Sequence, residues 1–154
     1  MKNRALEKGS KLFIGDTLKG VRVLLVEDYP INVKVVCKFL ERWQVEIDVA
    51  ENGLVATQKF EKGKYDIVLM DIQMPVMDGY TASEIIRSND ADVPIIALTG
   101  SATFTNQDRA FSAGMNDYVT KPFNPKDLFQ KIAKYSFRNE SKSIDCEKND
   151  FFYV

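Results

Sequence analysis

Ile67-Val68-Leu69-Met70-Asp71-Ile72-Gln73-Met74-Pro75-Val76-Met77-Asp78-Gly79 is the stretch whose reading decides the fold of this 154-residue chain. Four apolar residues, β-branched at the front, have the pattern of a strand buried on both faces, and Pro75 and Gly79 punctuate the loop behind it. Asp71 therefore stands at the mouth of a core strand. An ionised acid there is costly unless a cation or hydrogen-bond donors meet it, so its partners must come from elsewhere in the chain.

Outward from that stretch, apolar strands alternate with helical patterns. Val21–Val26 reads as a strand ending in Glu27-Asp28, and Pro30 suits the first turn of a helix with Ile31, Val35, Val36, Phe39 and Leu40 on one face. Val45–Ala50 alternates as a second strand, and Gly53–Lys62 reads as a helix closed by Gly63. Beyond Asp71, Thr81–Ser88 is expected to be helical with Ile85 and Ile86 inward, and Ile95–Leu98 is a buried strand ending at Thr99. Asn106–Ala113 is a weakly amphipathic helix through Ala110 and Phe111, with Gly114 just past its end. Tyr118-Val119 belongs to a short fifth strand running into Lys121-Pro122. Asn124 and Pro125 then open a last helix with Leu128, Phe129 and Ile132 inside.

Alternation of this kind predicts an α/β fold, a doubly wound parallel sheet covered on both faces by right-handed crossovers. The domain is expected over residues 20–136, with a tail or linker over 1–19 and a polar tail over 137–154. The Leu12-Phe13-Ile14 cluster is too short for a core element, and Phe151-Phe152-Tyr153-Val154 reads as a frayed terminus rather than a docking element.

A net charge of −1 with scattered Lys and Arg argues against nucleic acid or membrane surfaces as partners. Cys37 and Cys146 form no metal or disulfide framework, and no apolar run approaches a bilayer span, so a soluble cytoplasmic protein is expected. The chain contains no histidine. Ser-His-Asp and Cys-His sites are thereby excluded, as is a phosphohistidine of its own; the chemistry must run on carboxylate, hydroxyl and amine groups.

Polar residues follow the strands: Glu27 and Asp28 after the first, Asp71 after the third, Thr99 after the fourth, Lys121 after the fifth. Ligands of open parallel sheets bind at that carboxyl edge, near the point where strand order reverses. Converging carboxylates repel, so this cluster asks for a divalent cation, and hard oxygen donors suit Mg²⁺ best. Taken singly, Asp28 reads as a helix cap, Asp78-Gly79 as turn and cap, and Thr99 as a strand-end hydroxyl bonded to backbone. Lys121 alone would be solvated and Tyr118 an edge-strand aromatic. The joint pattern outweighs these separate readings.

Glu27-Asp28 after an apolar strand, Asp71 through Gly79, Ala97-Leu98-Thr99 and Tyr118-Val119-Thr120-Lys121-Pro122 together resemble the receiver domain of two-component response regulators, over about residues 20–136. The resemblance implies a flavodoxin-like sheet of strand order 2-1-3-4-5, an order the chemotaxis member of that family has. It implies Asp71 as the phospho-acceptor, with Mg²⁺ held by Asp28, Asp71 and the Gln73 backbone carbonyl, and Glu27 acting through water. Lys121 would pair with phosphoryl oxygens and the Lys121-Pro122 bond would be cis. Thr99 would bond a phosphoryl oxygen while Tyr118 swings inward as the switch. Gly100 stands where the family usually has Ala, which implies a looser loop. The donor would be a histidine kinase or histidine phosphotransfer protein in trans. Glu27 through Asn32 and Met74 through Met77 most resemble receivers of hybrid sensor kinases, and Glu7–Ile14 faintly resembles the last strand of a kinase ATP-binding domain. The domain would not be a turnover enzyme. Aspartate-nucleophile phosphatases typically carry a second Asp where this chain has Gln73, and flavin binding wants a phosphate loop where Glu27-Asp28 stands. The remaining alternative is an unphosphorylated interaction module on the same fold.

Overall fold

The computed structural model describes residues 18–136. The Leu12–Ile14 cluster, the Glu7–Ile14 resemblance, Cys146 and the Phe151–Val154 tip lie outside them. Five parallel strands form one sheet in the order β2-β1-β3-β4-β5. The strands are β1 (Arg22–Val26), β2 (Glu46–Ala50), β3 (Ile67–Asp71), β4 (Ile95–Thr99) and β5 (Asp117–Thr120). The helices are α1 (Pro30–Arg42), α2 (Gly53–Lys59), α3 (Gly79–Asn89), α4 (Phe104–Ser112) and α5, residues 125–136.

Because strand side chains alternate, the central strands feed two cores. Val23 and Leu25 of β1 and Ile67 and Leu69 of β3 pack with α1 and α5, while Leu24, Val26, Val68 and Met70 pack with α2, α3 and α4. β3 and β4 are buried along their whole length, as unbroken apolar runs require. Leu18, which lies ahead of the boundary expected at residue 20, is part of the first core and donates its backbone N–H to the Trp43 carbonyl at 2.7 Å. Trp43 in turn stacks on Phe39 and meets Phe129 edge-on at 5.0 Å, joining the end of α1 to α5.

Several local expectations shift. On α1 the inward stripe is Val33, Val36, Cys37 and Leu40, with Phe39 beside it, whereas Ile31 and Val35 are exposed. α2 stops at Lys59 rather than Lys62 because Phe60 turns extended to bury its ring beside Tyr65, and Gly63 serves the following turn at φ +84°. On α3, Ile86 is buried and Ile85 lies at the surface; on α4, Ala110 is buried and Phe111 is exposed. α4 begins at Phe104, capped by the Thr103 hydroxyl, and Gly114 sits just past its end at φ +92°. Asn124 caps α5, its side-chain oxygen accepting from the Lys126 N–H at 2.9 Å.

Candidate functional site

β1 pairs with β2 on one side and β3 on the other, so the strand order reverses at β1, and the carboxyl ends of β1 and β3 open side by side. Glu27, Asp28 and Asp71 meet there, with carboxylate oxygens that all lie within 4.8 Å of one another. Glu27 and Asp71 are buried, and Asp28 is the more accessible of the three. The Lys121 ammonium, brought in from the end of β5, stands 3.0 Å from Glu27 Oε2 and 3.0 Å from Asp71 Oδ1. Asp71 Oδ1 also accepts the Ile72 N–H at 2.9 Å, so Oδ2 takes neither of these bonds. The Lys121-Pro122 bond is cis, as the resemblance implied.

Local sequence explains the approach of these groups. Gly79 has no room for a side chain, since a Cβ there would lie 2.1 Å from the Asp71 carbonyl oxygen, and its N–H donates to Ile72 O at 2.8 Å. Asp78 is the α3 cap, its Oδ1 accepting from Thr81 N at 2.8 Å, as its sequence reading held. Asp28 caps nothing: α1 has no side-chain cap, and Glu27 Oε1 instead accepts from Tyr29 N at 3.2 Å and Asn32 Nδ2 at 3.4 Å.

Electrostatically the cluster is short of positive charge. Burial pushes the Asp71 carboxyl up to about 7; the Lys121 hydrogen bond opposes this, and the charge of Glu27 and the adjacent Asp28 add to it. Burial works against the Lys121 ammonium, yet its hydrogen bond to Asp71 and the charge of the paired Glu27 outweigh that and hold it above the ordinary lysine value. Glu27 Oε2 is buried with the ammonium beside it but no hydrogen-bond donor aligned with it. Three clustered acids, of which one ammonium pairs with only two, and a buried oxygen left unaligned form a donor set that fits a hard divalent cation. Gln73 lines the same cavity, of about 850 Å³, as do Gly100, Asn106 and Arg109.

Thr99 also lines it, but its hydroxyl is turned to backbone, donating to Ser101 O at 2.7 Å and accepting from Ser101 N at 3.1 Å. Tyr118 is half-buried against the second core and, with Thr99, Ala102 and Asn106, borders a separate cavity of about 10 Å³. Lys131 of α5 bonds the Tyr118 carbonyl and stands over its ring.

Of the residues expected from the sequence, Glu27, Asp28, Asp71, Gln73, Thr99 and Lys121 line this one cavity, whereas Tyr118 stands apart on the smaller one. Other residues escaped that reading. Asn32 supports Glu27 from the first turn of α1, Arg109 lies over the Tyr80 ring at 4.3 Å from its centroid, and Lys131 engages Tyr118. No spacing rule marks Arg109, because its partner Tyr80 lies on another helix. Lys131 could have been suspected from its place one turn after Asp127 on a helix flanking β5.

Residues 23–133 match the family model for the response regulator receiver domain. The transcription factor SKN7 of Saccharomyces cerevisiae is 44% identical over 119 residues, which are 76% of this chain and 19% of that protein. The chain thus spans about a fifth of that relative's length. Among solved structures, the receiver domain of sensor histidine kinase PA1611 from Pseudomonas aeruginosa, with a magnesium ion coordinated in its active-site cleft, is 38% identical with a TM-score of 0.71, covering 76% of this chain and 98% of that one. The receiver domain of the Saccharomyces cerevisiae response regulator Ssk1, solved with the histidine phosphotransfer protein Ypd1, gives a TM-score of 0.73 at 32% identity, covering 77% of this chain and 90% of that chain.

Proposed function

The chain belongs to the response regulator receiver domain family, and from that membership we propose that it is a phospho-accepting relay domain in which Asp71 takes a phosphoryl group from a phosphohistidine in trans. The observation that carries this reading is the Lys121 ammonium, 3.0 Å from both Asp71 and Glu27 at the mouth of the strand-order reversal. An Asp71 carboxylate oxygen attacks phosphorus in line as the donor's P–N bond breaks, and the electron pair leaves with the imidazole. Phosphoryl transfer of this kind depends on positioning and charge neutralisation, which the lysine and its acid neighbours set up. Asp28, Asp71 and the Gln73 carbonyl would hold Mg²⁺, with Glu27 acting through water; the ion supplies charge to the phosphoryl oxygens. Lys121 pairs with one of those oxygens.

Thr99 exchanges its Ser101 bonds for a phosphoryl oxygen, and Tyr118 moves inward, altering the face formed by α4, β5 and α5. The group turns over on its own residue rather than on a free substrate, so the domain is a switch rather than a turnover enzyme. Tyr29 is exposed at the acidic mouth, and the exposed Ile31, Val35, Val76 and Phe104 add apolar surface suited to a partner that presents histidine from a helix. A histidine kinase or a histidine phosphotransfer protein is that partner, and the Ypd1 complex of the Ssk1 receiver supports its kind. The domain acts in the cytoplasm, without nucleic acid or membrane contacts of its own, as its near-neutral, scattered charge suits. We assign it to a hybrid histidine kinase, as the PA1611 likeness supports. The 44% identity with SKN7 favours a second parent, a transcription factor at the end of a relay.

Incubation with phosphoramidate and Mg²⁺ tests the chemistry by intact mass. A gain of one phosphoryl group is expected, lost in Asp71→Asn and on chelation. Labelling that survives Asp71→Asn overturns the acceptor; no labelling of the native domain returns it to an unphosphorylated interaction module. Comparing transfer from a kinase's phosphohistidine with transfer from a phosphotransfer protein separates the two parents.

A further inference from the structure

The acceptor cavity is lined by the acids Glu27, Asp28, Asp71 and Asp78, and a dianionic phosphoryl donor must enter past them. Lys121, the cation at the centre of that cavity, is bound to two of these acids. Arg109 is the other cation on its wall.

Arg109 projects from the surface of α4, and its guanidinium lies over the buried Tyr80 ring, 4.3 Å from the centroid. Among the described residues no carboxylate stands within ion-pair distance of it, and no hydrogen bond engages its donors. Stacking fixes the plane of a guanidinium while leaving its N–H edge open, and that edge matches phosphoryl oxygens two at a time. Tyr80 is fixed in its turn, because it follows Gly79 at the start of α3, where the helix abuts Asp71 and Ile72.

We propose that Arg109, held on Tyr80, is a positioning residue that receives the phosphoryl group of the incoming donor at the mouth of the cavity before Asp71 attacks. This rests on the reading of Asp71 as acceptor and adds a residue to it. Arg109 contacts the donor in the encounter and bears no share of bond-making. Its removal therefore raises the donor concentration needed for half-maximal rate and leaves the rate at saturation nearly intact. One charge-assisted contact at a partly solvated rim corresponds to about a three- to tenfold change.

The test measures initial phosphorylation of the whole chain against phosphoramidate concentration for the native protein, Arg109→Gln and Arg109→Lys. Arg109→Gln is expected to raise the half-saturating concentration about three- to tenfold, with a shallower dependence on ionic strength; Arg109→Lys restores only part of it, having charge without the stacked fork. A second arm uses a phosphohistidine-bearing phosphotransfer protein. A penalty in both arms, or with phosphoramidate alone, supports the proposal. A penalty confined to the protein donor shows that Arg109 docks the partner's surface and overturns it, as does an unchanged half-saturation or a loss at saturation only. A third measurement does not depend on Asp71: titration of the Arg109 Nε–H resonance with inorganic phosphate should shift it, and no shift overturns the proposal. Native protein that takes up no phosphate while that resonance still shifts would sink the acceptor reading and leave the anion contact standing.

Discussion

Lys131 holds Tyr118 in two ways at once: its ammonium bonds the tyrosine's own carbonyl and stands 4.8 Å from the centre of its ring. The same ammonium pairs with Asp117 at 3.3 Å, and Tyr135 one turn further along α5 donates to Asp117 Oδ2 at 2.9 Å. The outer edge of β5 is thus laced to α5 around the residue assigned as the switch.

Replacing Lys131 by Met should free the Tyr118 ring. A cation over such a ring contributes about 0.5–1 kcal/mol, so the ring's inward and outward populations should shift roughly two- to fivefold. Fluorotyrosine NMR, with Tyr118→Phe to assign the resonance, reads this directly. An unmoved Tyr118 signal in Lys131→Met would show that the ammonium has no hold on the ring.

Ionisation of Asp71 should weaken the metal-free fold. Its folded pKa is raised to about 7 by burial, so the stability it contributes is fully present below the unfolded value of about 4 and is lost as pH rises through 7. In chelator, the urea midpoint should therefore fall between about pH 6 and about pH 8, with Asp71→Asn abolishing the difference. Mg²⁺ should raise the midpoint at the higher pH. An equal fall in Asp71→Asn would place the titrating group elsewhere.

Gly79→Ala should be severely destabilising. Its Cβ would meet the Asp71 carbonyl oxygen at 2.1 Å and Ile72 Cα at 2.9 Å, both backbone atoms that cannot step aside alone. A loss of about 2–4 kcal/mol in urea unfolding is expected, together with loss of labelling as the end of β3 is displaced. Near-native stability would mean that α3 can slide away from the strand.

Val76 adopts φ +73°, a left-handed conformation hostile to a β-branched residue, while the residue is 76% exposed. Val76→Asn should relieve that strain and raise stability by about 1 kcal/mol, because Asn tolerates the conformation. It should also slow transfer from a protein donor, since an apolar contact at the rim is lost. A lowered thermal midpoint would contradict the strain argument.

How far the sequence reached depends on whether a feature is local or shared between elements. The burial of β3 and β4 was legible because unbroken apolar runs ending in Asp71 and Thr99 leave no other face for them. The Asp78 and Asn124 caps were legible because each acts within its own first turn. The end of α2 was not, because Phe60 leaves the helix for a core that only the assembled sheet and Tyr65 create. The inward face of α1 was misjudged for a related reason: seven apolar residues on one helix allow two stripes, and only packing against β1 and α5 selects Val33, Val36 and Leu40 over Ile31 and Val35. Among the site residues, Glu27, Asp28, Asp71, Thr99 and Lys121 follow from strand ends alone. Asn32, Arg109 and Lys131 depend on which helices lie beside which, and no single segment states that.

Glu27 divides its two oxygens between different tasks: Oε1 secures the first turn of α1 through Tyr29 and Asn32, and Oε2 faces Lys121. For protein engineering this separates what can be exchanged from what must stay. Ile31 and Val35 on the outer side of α1 can be rewritten to recruit a different donor, because they bear no load inside the fold. Asn32, one residue away on the same turn, is wired to the carboxylate beside the lysine. A specificity swap that carries Asn32 along with its neighbours would retune the chemistry while intending only to change the conversation partner.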